Sequence, residues 1–334
     1  MANKLFLILI LSASLLPQLC IQAQDNQLPE IASIKQEADG KAVDSLLNQA
    51  PGEQTSEKQP IEKEFQSTQG APDWLKRINM SLEAGTDIKP KYFLESVQPL
   101  FSALDKETVL FNQTRISARD YRTTYSTGLG LRKVFNENYL LGINAFYDFQ
   151  DFHKHHRAGV GFEAITNRGL EARLNSYLRV SGQRLVNEDS ANQYYEKVAN
   201  GCDWELGGPL PYFHPVKLYG GGYWYNFERF KDEFGWKMRM EYNPVKYSRL
   251  VFEVRDDNKR ENVGYRFEGA ITLAFASFNL RDIVKEFKTP SEAYPKVNLE
   301  DKTLDRVVRD FDITVIKSTR SKATGLTVEG GKSG

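Results

Sequence analysis

Arg157-Ala158-Gly159-Val160-Gly161-Phe162-Glu163-Ala164 is the stretch whose reading decides the fold. Ala158, Val160, Phe162 and Ala164 form one side of a period-two alternation, and Arg157, Gly159, Gly161 and Glu163 form the other. Successive side chains of an extended strand leave opposite faces, so this segment has an apolar face and a face of charge and glycine. The pattern recurs on both sides of it. Upstream, Ile78, Met80, Leu82 and Ala84 alternate with Asn79, Ser81, Glu83 and Gly85. Downstream, Leu170, Ala172, Leu174 and Leu178 alternate with Glu171, Arg173, Asn175 and Arg179, and Trp236, Met238, Met240 and Tyr242 with Lys237, Arg239 and Glu241. Leu250, Phe252 and Val254 alternate with Arg249, Glu253 and Arg255, and Phe267, Ile271, Leu273 and Phe275 with Arg266, Glu268 and Thr272. Segments of this length and texture, separated by turn residues, read as half-buried strands.

A soluble β-sandwich also alternates, with its polar face in bulk water. In a membrane the same pattern puts the apolar face in lipid and the charged face in a lumen. Every backbone group in lipid needs an internal partner, so a closed barrel is the only β solution there. Between residues 76 and 278 there is room for about twelve strands, each near the roughly 9–11 residues that a tilted strand needs to cross. The connections alternate in length. Asn136-Glu137, Thr166-Asn167 and Asn243-Pro244 are short, whereas Ser117–Asp120, Asp148–His155, Ser181–Gln193, Glu228–Glu233 and Asp256–Asn262 are longer and charged. Short periplasmic turns and longer outer loops give that rhythm. Pro209–Pro215, Pro-rich and of medium length, falls on the short side and is its least regular member.

The N-terminus has the form of an export signal. Lys4 is followed by the nearly continuous apolar run Leu5–Leu16 and by Ile21-Gln22-Ala23, a cleavage site of A-x-A type. Lipidation at Cys20 is the alternative, but Leu19 is larger than the small residue expected before a lipidated cysteine, so cleavage near Ala23 is the reading taken. That leaves Cys202 as the single cysteine of the mature chain, which excludes an intramolecular disulfide. The 44 basic and 44 acidic residues balance, which gives no reason to expect a nucleic-acid partner. The composition, rich in Tyr (16) and Phe (20), suits strands and aromatic girdles rather than a bundle of membrane helices. Residues 24–72 are rich in Gln, Glu, Lys, Ser and Pro and are expected to form a disordered periplasmic leader, with a short helix possible at Ala42–Ala50.

At this point particular residues carry a resemblance. Leu110-Phe111-Asn112-Gln113 is followed by Arg119-Asp120-Tyr121-Arg122-Thr123-Thr124 and by Gly128-Leu129-Gly130-Leu131-Arg132. Then come Leu141-Gly142-Ile143-Asn144-Ala145-Phe146-Tyr147-Asp148, His156-Arg157-Ala158-Gly159-Val160-Gly161-Phe162-Glu163 and Ala199-Asn200-Gly201-Cys202-Asp203. In order and spacing the series resembles the β-domain of inverse autotransporters, the intimin and invasin family, over roughly residues 73 to 278. The resemblance implies an all-β fold: a transmembrane antiparallel barrel of twelve strands over residues 73–280, then a linker that threads the lumen and leads to adhesive domains outside. The expected organisation is a signal peptide at 1–23, the leader at 24–72, the barrel at 73–280, and a linker with a short tail at 281–334. The expected partners are outer-membrane lipid, the barrel-insertion machinery with periplasmic chaperones, and a host-cell or bacterial surface receptor. The N-terminus is then periplasmic, and the tail lies in the lumen or at the cell surface.

The residues expected to line the lumen are Gly128, Gly130, Gly142, Asn144, Gly159 and Gly161, with Arg157, Glu163, Glu171, Arg173, Arg239, Glu241 and Arg255 as a charged wall. Glycine permits close backbone approach and leaves room for a threaded segment; it also simply relieves strand curvature. Inward charges are expected to pair across the lumen, since isolated buried charges are costly. Two departures from the family stand out. Residues 24–71 are too short and polar for the peptidoglycan-binding module that often precedes the barrel. The chain after Leu280 is too short for a passenger: crossing a core of roughly 30 Å takes about 9–10 extended residues or about 20 helical ones, and the remainder falls well below an immunoglobulin-like domain of about 100. Any binding is then left to surface loops, a very short passenger or a separately encoded partner. Arg281–Lys288 has helix-forming character, Leu304–Val315 resembles the family's post-barrel segment, and Ser318–Gly334, rich in Gly, Ser and Lys, is expected to be flexible.

No catalytic, cofactor or metal site is expected. His153, His155 and His156 have the look of a metal cluster, but adjacent loop histidines are expected to be solvated. Asp148 and Asp151 read as loop caps rather than an acid–base pair. Gly128-x-Gly130 lacks the third glycine and the βαβ setting of a dinucleotide site, and there is no G-x-S-x-G, H-E-x-x-H or Walker motif. Tyr219, Tyr223, Trp224 and Tyr225 read as girdle or lumen packing. The function expected is a translocator and anchor linked to surface display and adhesion. The alternatives are a stand-alone channel or structural barrel plugged by its own tail, and a barrel hydrolase.

Overall fold

In a computed structural model, residues 72–86, 88–102, 107–245, 247–273 and 292–333 are described. The signal peptide, nearly all of the leader with its Ala42–Ala50 helix, Phe275 and the Arg281–Lys288 helix lie outside the described residues.

The alternating segments fold as strands. In chain order they are β1 (Ile78–Gly85), β2 (Ile88–Ser102), β3 (Thr108–Arg119), β4 (Arg122–Phe135), β5 (Tyr139–Gln150), β6 (His155–Thr166), β7 (Glu171–Arg179), β8 (Arg184–Glu188), β9 (Asn192–Val198), β10 (Asn200–Leu210), β11 (Phe213–Asn226), β12 (Glu233–Val245), β13 (Ser248–Asp257), β14 (Gly264–Thr272), β15 (Val315–Ser321) and β16 (Thr327–Ser333). Twelve of them, β1–β7 and β10–β14, close an antiparallel barrel in the order β1-β14-β13-β12-β11-β10-β7-β6-β5-β4-β3-β2. The closing pair sets Met80 opposite Ile271 and Leu82 opposite Gly269. Closure removes both sheet edges, which is what lets strands cross lipid. The other four form a separate sheet, ordered β16-β15-β9-β8.

Burial separates the faces as the alternation requires. Val160, Phe162, Leu174, Leu206, Phe234 and Met238 are exposed on the outside, Phe234 at 66 %. Their neighbours in sequence, Arg157, Glu163, Asn175, Glu205, Glu233 and Arg239, are buried on the inside, Arg157 at 0 %. An apolar outside over a polar inside is the inverse of a water-soluble sheet and the signature of a barrel in lipid.

The connections fall at two ends. At one, here the turn end, β4 meets β5, β6 meets β7, β10 meets β11 and β12 meets β13. Asn136 and Glu137 both take positive φ (48° and 56°), as a tight hairpin with right-handed twist demands. Pro209–Pro215 proves tighter than its prolines implied: β10 runs through Pro209 and β11 through Pro215, and only Pro211 and Tyr212 turn, with Tyr212 at φ 58°. At the other end, here the sheet end, Ser117–Asp120 is not a long loop, since β3 reaches Arg119 and Asp120 turns at φ 57°. Ser181–Gln193 is largely strand: β8 and β9 form a hairpin standing on that end. Nor is 318–333 irregular. β15 pairs with β9, Val315 opposite Val198 and Ser321 opposite Asn192, and β16 pairs with β15. A backbone ladder orders a sequence whose side chains gave no pattern, and Gly325 supplies the left-handed turn between the two strands (φ 71°).

Candidate functional site

Residues 297–316 pack against the inward face of the barrel. At the turn end the Val297 N–H donates to the Asn167 carbonyl (2.8 Å), and Leu299 is buried against Val134, Leu140 and Ile165. Next, Arg132 donates to the carbonyls of Lys302 (3.4 Å) and Thr303 (3.0 Å) while Glu163 holds its guanidinium in two-point fashion (2.7 and 3.1 Å). Planar two-point pairing fixes an arginine's direction, so Glu163 aims Arg132 at the tail. Midway, Val307 and Phe311 pack with Val97, Phe111 and Phe146. The Arg115 guanidinium lies 3.5 Å from the Phe93 ring centroid and 4.4 Å from that of Phe311.

Further along, Asp148 joins two cations. Arg157 Nε donates to it at 2.9 Å, and Arg309 of the tail donates from both terminal nitrogens at 3.1 and 2.9 Å. Arg157 also donates to the Asp310 and Asp312 carbonyls, each at 2.8 Å. Tyr225 donates to the Asp310 carboxylate (3.0 Å), and the Asp310 N–H donates to the Tyr177 hydroxyl (2.8 Å). Asp312 meets Lys91 (3.1 Å) and Arg119 (3.0 Å). Ile313 and Val315 then pack on Val198 at the sheet end. Side chains thus receive the backbone groups of a strandless segment, as buried backbone requires. Cavities of about 560 Å³ and about 110 Å³ flank the tail.

The expected lining residues fall into three groups. Arg157 and Glu163 meet the tail directly or through one partner. Glu171, Arg173, Arg239, Glu241 and Arg255 form a wall of ion pairs: Arg173 with Glu205 (2.8 Å) and Glu171, Lys217 with Glu171 (2.8 Å), Arg239 with Glu205 (2.7 Å) and Glu241 (2.8 Å), and Arg255 with Glu253 (2.6 Å). The glycines and Asn144 make room. A Cβ on Gly159 would lie 2.7 Å from the Arg309 guanidinium, so only there does glycine admit the tail itself. Gly128 accommodates the Phe146 ring (2.5 Å), Gly130 the Phe111 ring, Gly142 the Glu163 side chain (2.5 Å), and Gly161 the amides of Asn144 (2.6 Å) and Asn175 (2.7 Å). Four of the five glycines therefore seat inward side chains, of which Phe146, Phe111 and Asn175 touch the tail and Glu163 reaches it through Arg132.

Asp148 was expected to cap a loop. It is instead fully buried within β5, on the same parity as Gly142, Asn144 and Phe146, and that parity was the available signal. Asp151 does cap: its carboxylate accepts the Thr123 N–H at 2.9 Å. Gln113, Arg119 and Asp203 lie in the stretches that carry the family resemblance but nothing there marked them as lining, and Lys91 and Tyr177 carried no signal beyond alternation. Of the aromatic group, Tyr219, Tyr223 and Tyr225 are buried inside and Trp224 faces out.

Two of the three clustered histidines are not solvated. His155 is fully buried and His153 largely so, and both reach one carboxylate oxygen of Glu196 on β9, at 2.9 and 2.6 Å. Lys154, at φ 54°, turns the backbone so that its two neighbours converge. Burial works to raise the Glu196 pKa, but hydrogen bonds from His155 and His153 outweigh it and hold the group at about 2. His156 points the other way, its Nδ1 2.7 Å from the Tyr147 hydroxyl.

A closed twelve-stranded barrel with an apolar exterior and a filled polar interior defines a bacterial outer-membrane barrel. The chain belongs to the inverse autotransporter β-domain family, whose model matches residues 33–309. It is 29 % identical over 151 residues to a putative attaching and effacing protein homolog of Escherichia coli K12, covering 43 % of this chain and 49 % of that protein. It is 30 % identical over 210 residues to the inverse autotransporter adhesin YeeJ of the same strain (57 % of this chain, 8 % of that one). With invasin of Yersinia enterocolitica it shares 31 % over 148 residues (43 % and 17 %). The chain thus matches half or less of the length of these relatives. A solved structure from work on in-meso crystallization of membrane proteins superposes with a TM-score of 0.56 and 19 % identity, over 73 % of this chain and 99 % of that one. At that identity it speaks for the fold alone.

Proposed function

We propose that this chain is a translocator and anchor that passes its own C-terminal segment through its lumen to display it at the cell surface, in the service of adhesion. In this reading residues 1–23 direct export, 24–72 lie in the periplasm, 73–280 form the anchor, and 281–334 are linker and tail. The turn end faces the periplasm and the sheet end faces out. The observation that carries it is the run of contacts from Leu299, against Val134 and Leu140 at the turn end, to Val315, opposite Val198 at the sheet end. Those contacts engage named side chains at each step, as a path through the barrel would. The relatives' names, an adhesin and an invasin, support adhesion to a host-cell or bacterial receptor. Lipid, insertion machinery and periplasmic chaperones are the remaining partners, and the reading includes no catalysis.

The test is a peptide tag fused after Gly334 and exposed to protease on intact cells. Removal of the tag, with a periplasmic marker left uncut, is expected. A tag spared on intact cells and cut only after lysis overturns the reading in favour of a barrel plugged by its own tail.

A further inference from the structure

His153 and His155 sit on the β5–β6 connection and the first residue of β6, and Glu196 sits on β9 in the separate sheet. Three potential ligand atoms, two imidazole nitrogens and a carboxylate oxygen, lie within 4.8 Å of one another. We infer that His153, His155 and Glu196 form a binding site for one divalent transition-metal ion of the zinc class, which ties β9 to the barrel rim.

The chemistry of the donor set selects the ion. Two imidazoles and one carboxylate suit zinc and its neighbours, at about 2.0–2.2 Å per bond; hard ions such as calcium and magnesium prefer oxygen alone. Ligands on a tetrahedral ion at that distance stand about 3.4 Å apart. The nitrogen–oxygen separations of 2.6 and 2.9 Å thus need to open by under about 1 Å, within the reach of side-chain rotation. Three protein ligands leave a fourth position for water.

Independent features favour a site over a surface ion pair. The three groups are buried together, with side chains 16 %, 0 % and 4 % exposed. Among the described residues, His155 Nδ1, the ring nitrogen turned away from Glu196, has no partner, and neither does the side-chain oxygen of Gln150, directly opposite His155 in the β5–β6 register; with Nε2 on an ion the proton of His155 sits on Nδ1, and Gln150 is the facing acceptor. Polar atoms buried without partners are uncommon and call for a reason. Glu196 is oriented as a ligand would be, with Oε2 toward the imidazoles and Oε1 3.8 Å from Arg122. The cations Arg122 and Lys154 act against a bound ion, so the site is expected to be of moderate affinity. Because β9 pairs with β15, a bound ion would also hold the segment emerging from the lumen.

The test uses the full chain without a polyhistidine tag, folded in detergent and stripped with EDTA. Zn²⁺ titration by calorimetry is expected to give one ion per chain, and Co²⁺ to give the visible bands of a four- or five-coordinate ion with nitrogen ligands. Glu196→Gln, which keeps size but removes the charge, is expected to weaken Zn²⁺ binding about tenfold or more, and His153→Ala/His155→Ala to abolish it. His156→Ala, whose ring faces away, is expected to bind as the parent does. Heat-modifiable migration on gels verifies that each variant is folded. No saturable Zn²⁺ binding by the folded parent, or binding unchanged in folded Glu196→Gln and in the double variant, overturns the site. Either result leaves the translocator reading standing, since that rests on the tail and not on these residues.

Discussion

Val307 and Gln113 exchange two hydrogen bonds: the Val307 N–H donates to Gln113 Oε1 at 2.7 Å, and Gln113 Nε2 donates to the Val307 carbonyl at 3.3 Å. A side-chain amide here imitates the backbone of a neighbouring strand and so receives a segment that has no strand beside it. Gln113 also donates to Glu95 at 2.9 Å, which couples the tail to the charges behind it.

Replacing Gln113 with Leu removes all three bonds and strands buried partners, each at about 1–3 kcal/mol. The expected outcome is a folded barrel with a loosened tail, seen as faster cleavage between residues 299 and 316 by added protease in detergent. Cleavage at the parental rate contradicts the role assigned to Gln113.

Asp148 stands between Arg157 and Arg309, all three buried. Asp148→Asn leaves two cations without their shared carboxylate, and breaking a buried pair in this way costs about 3–5 kcal/mol. Arg309→Met leaves Asp148 paired with Arg157 and is expected to cost less. Melting temperatures from gel-shift assays should rank parent above Arg309→Met above Asp148→Asn, and the reverse order of the two variants contradicts the assignment.

Gly130 and Gly220 make a controlled pair. A Cβ on Gly130 runs into the Phe111 ring, which packs on Val307 and Phe311, whereas one on Gly220 meets nothing within 4 Å. Gly130→Ala is expected to destabilise by about 1–3 kcal/mol through overpacking. Gly220→Ala should fall within about 0.5 kcal/mol of the parent. Urea unfolding in lipid vesicles measures both.

Much of the barrel was legible because lipid makes a simple demand. Met80, Val160, Leu174 and Phe267 had to share the outer face, and Glu83, Arg157, Asn175 and Glu268 the inner one, so alternation within each strand gave strand number and facing. Less legible was anything set by pairing at long range. β9 and β15 lie far apart in sequence, and the polar Ser318–Gly334 looked unstructured until its ladder partner was known. Asp148 looked like a loop cap because strand ends are uncertain by a residue or two, and His155 looked solvated because Glu196 comes from another strand. The glycines could be read for space or for strand curvature, and sequence could not say whether any space served the tail or an inward Phe111 or Glu163.

The central claim is that residues 299–316 fill the lumen from one end to the other. Single-channel recording in planar bilayers tests it most directly, comparing the full chain with one ending at Asn298. The full chain is predicted to conduct little, because the tail and its side-chain partners occupy the path, and the shortened chain to form a steady open pore of several-fold higher conductance. Equal conductance from the two chains, both shown to be folded and inserted, would contradict a lumen closed by its own tail.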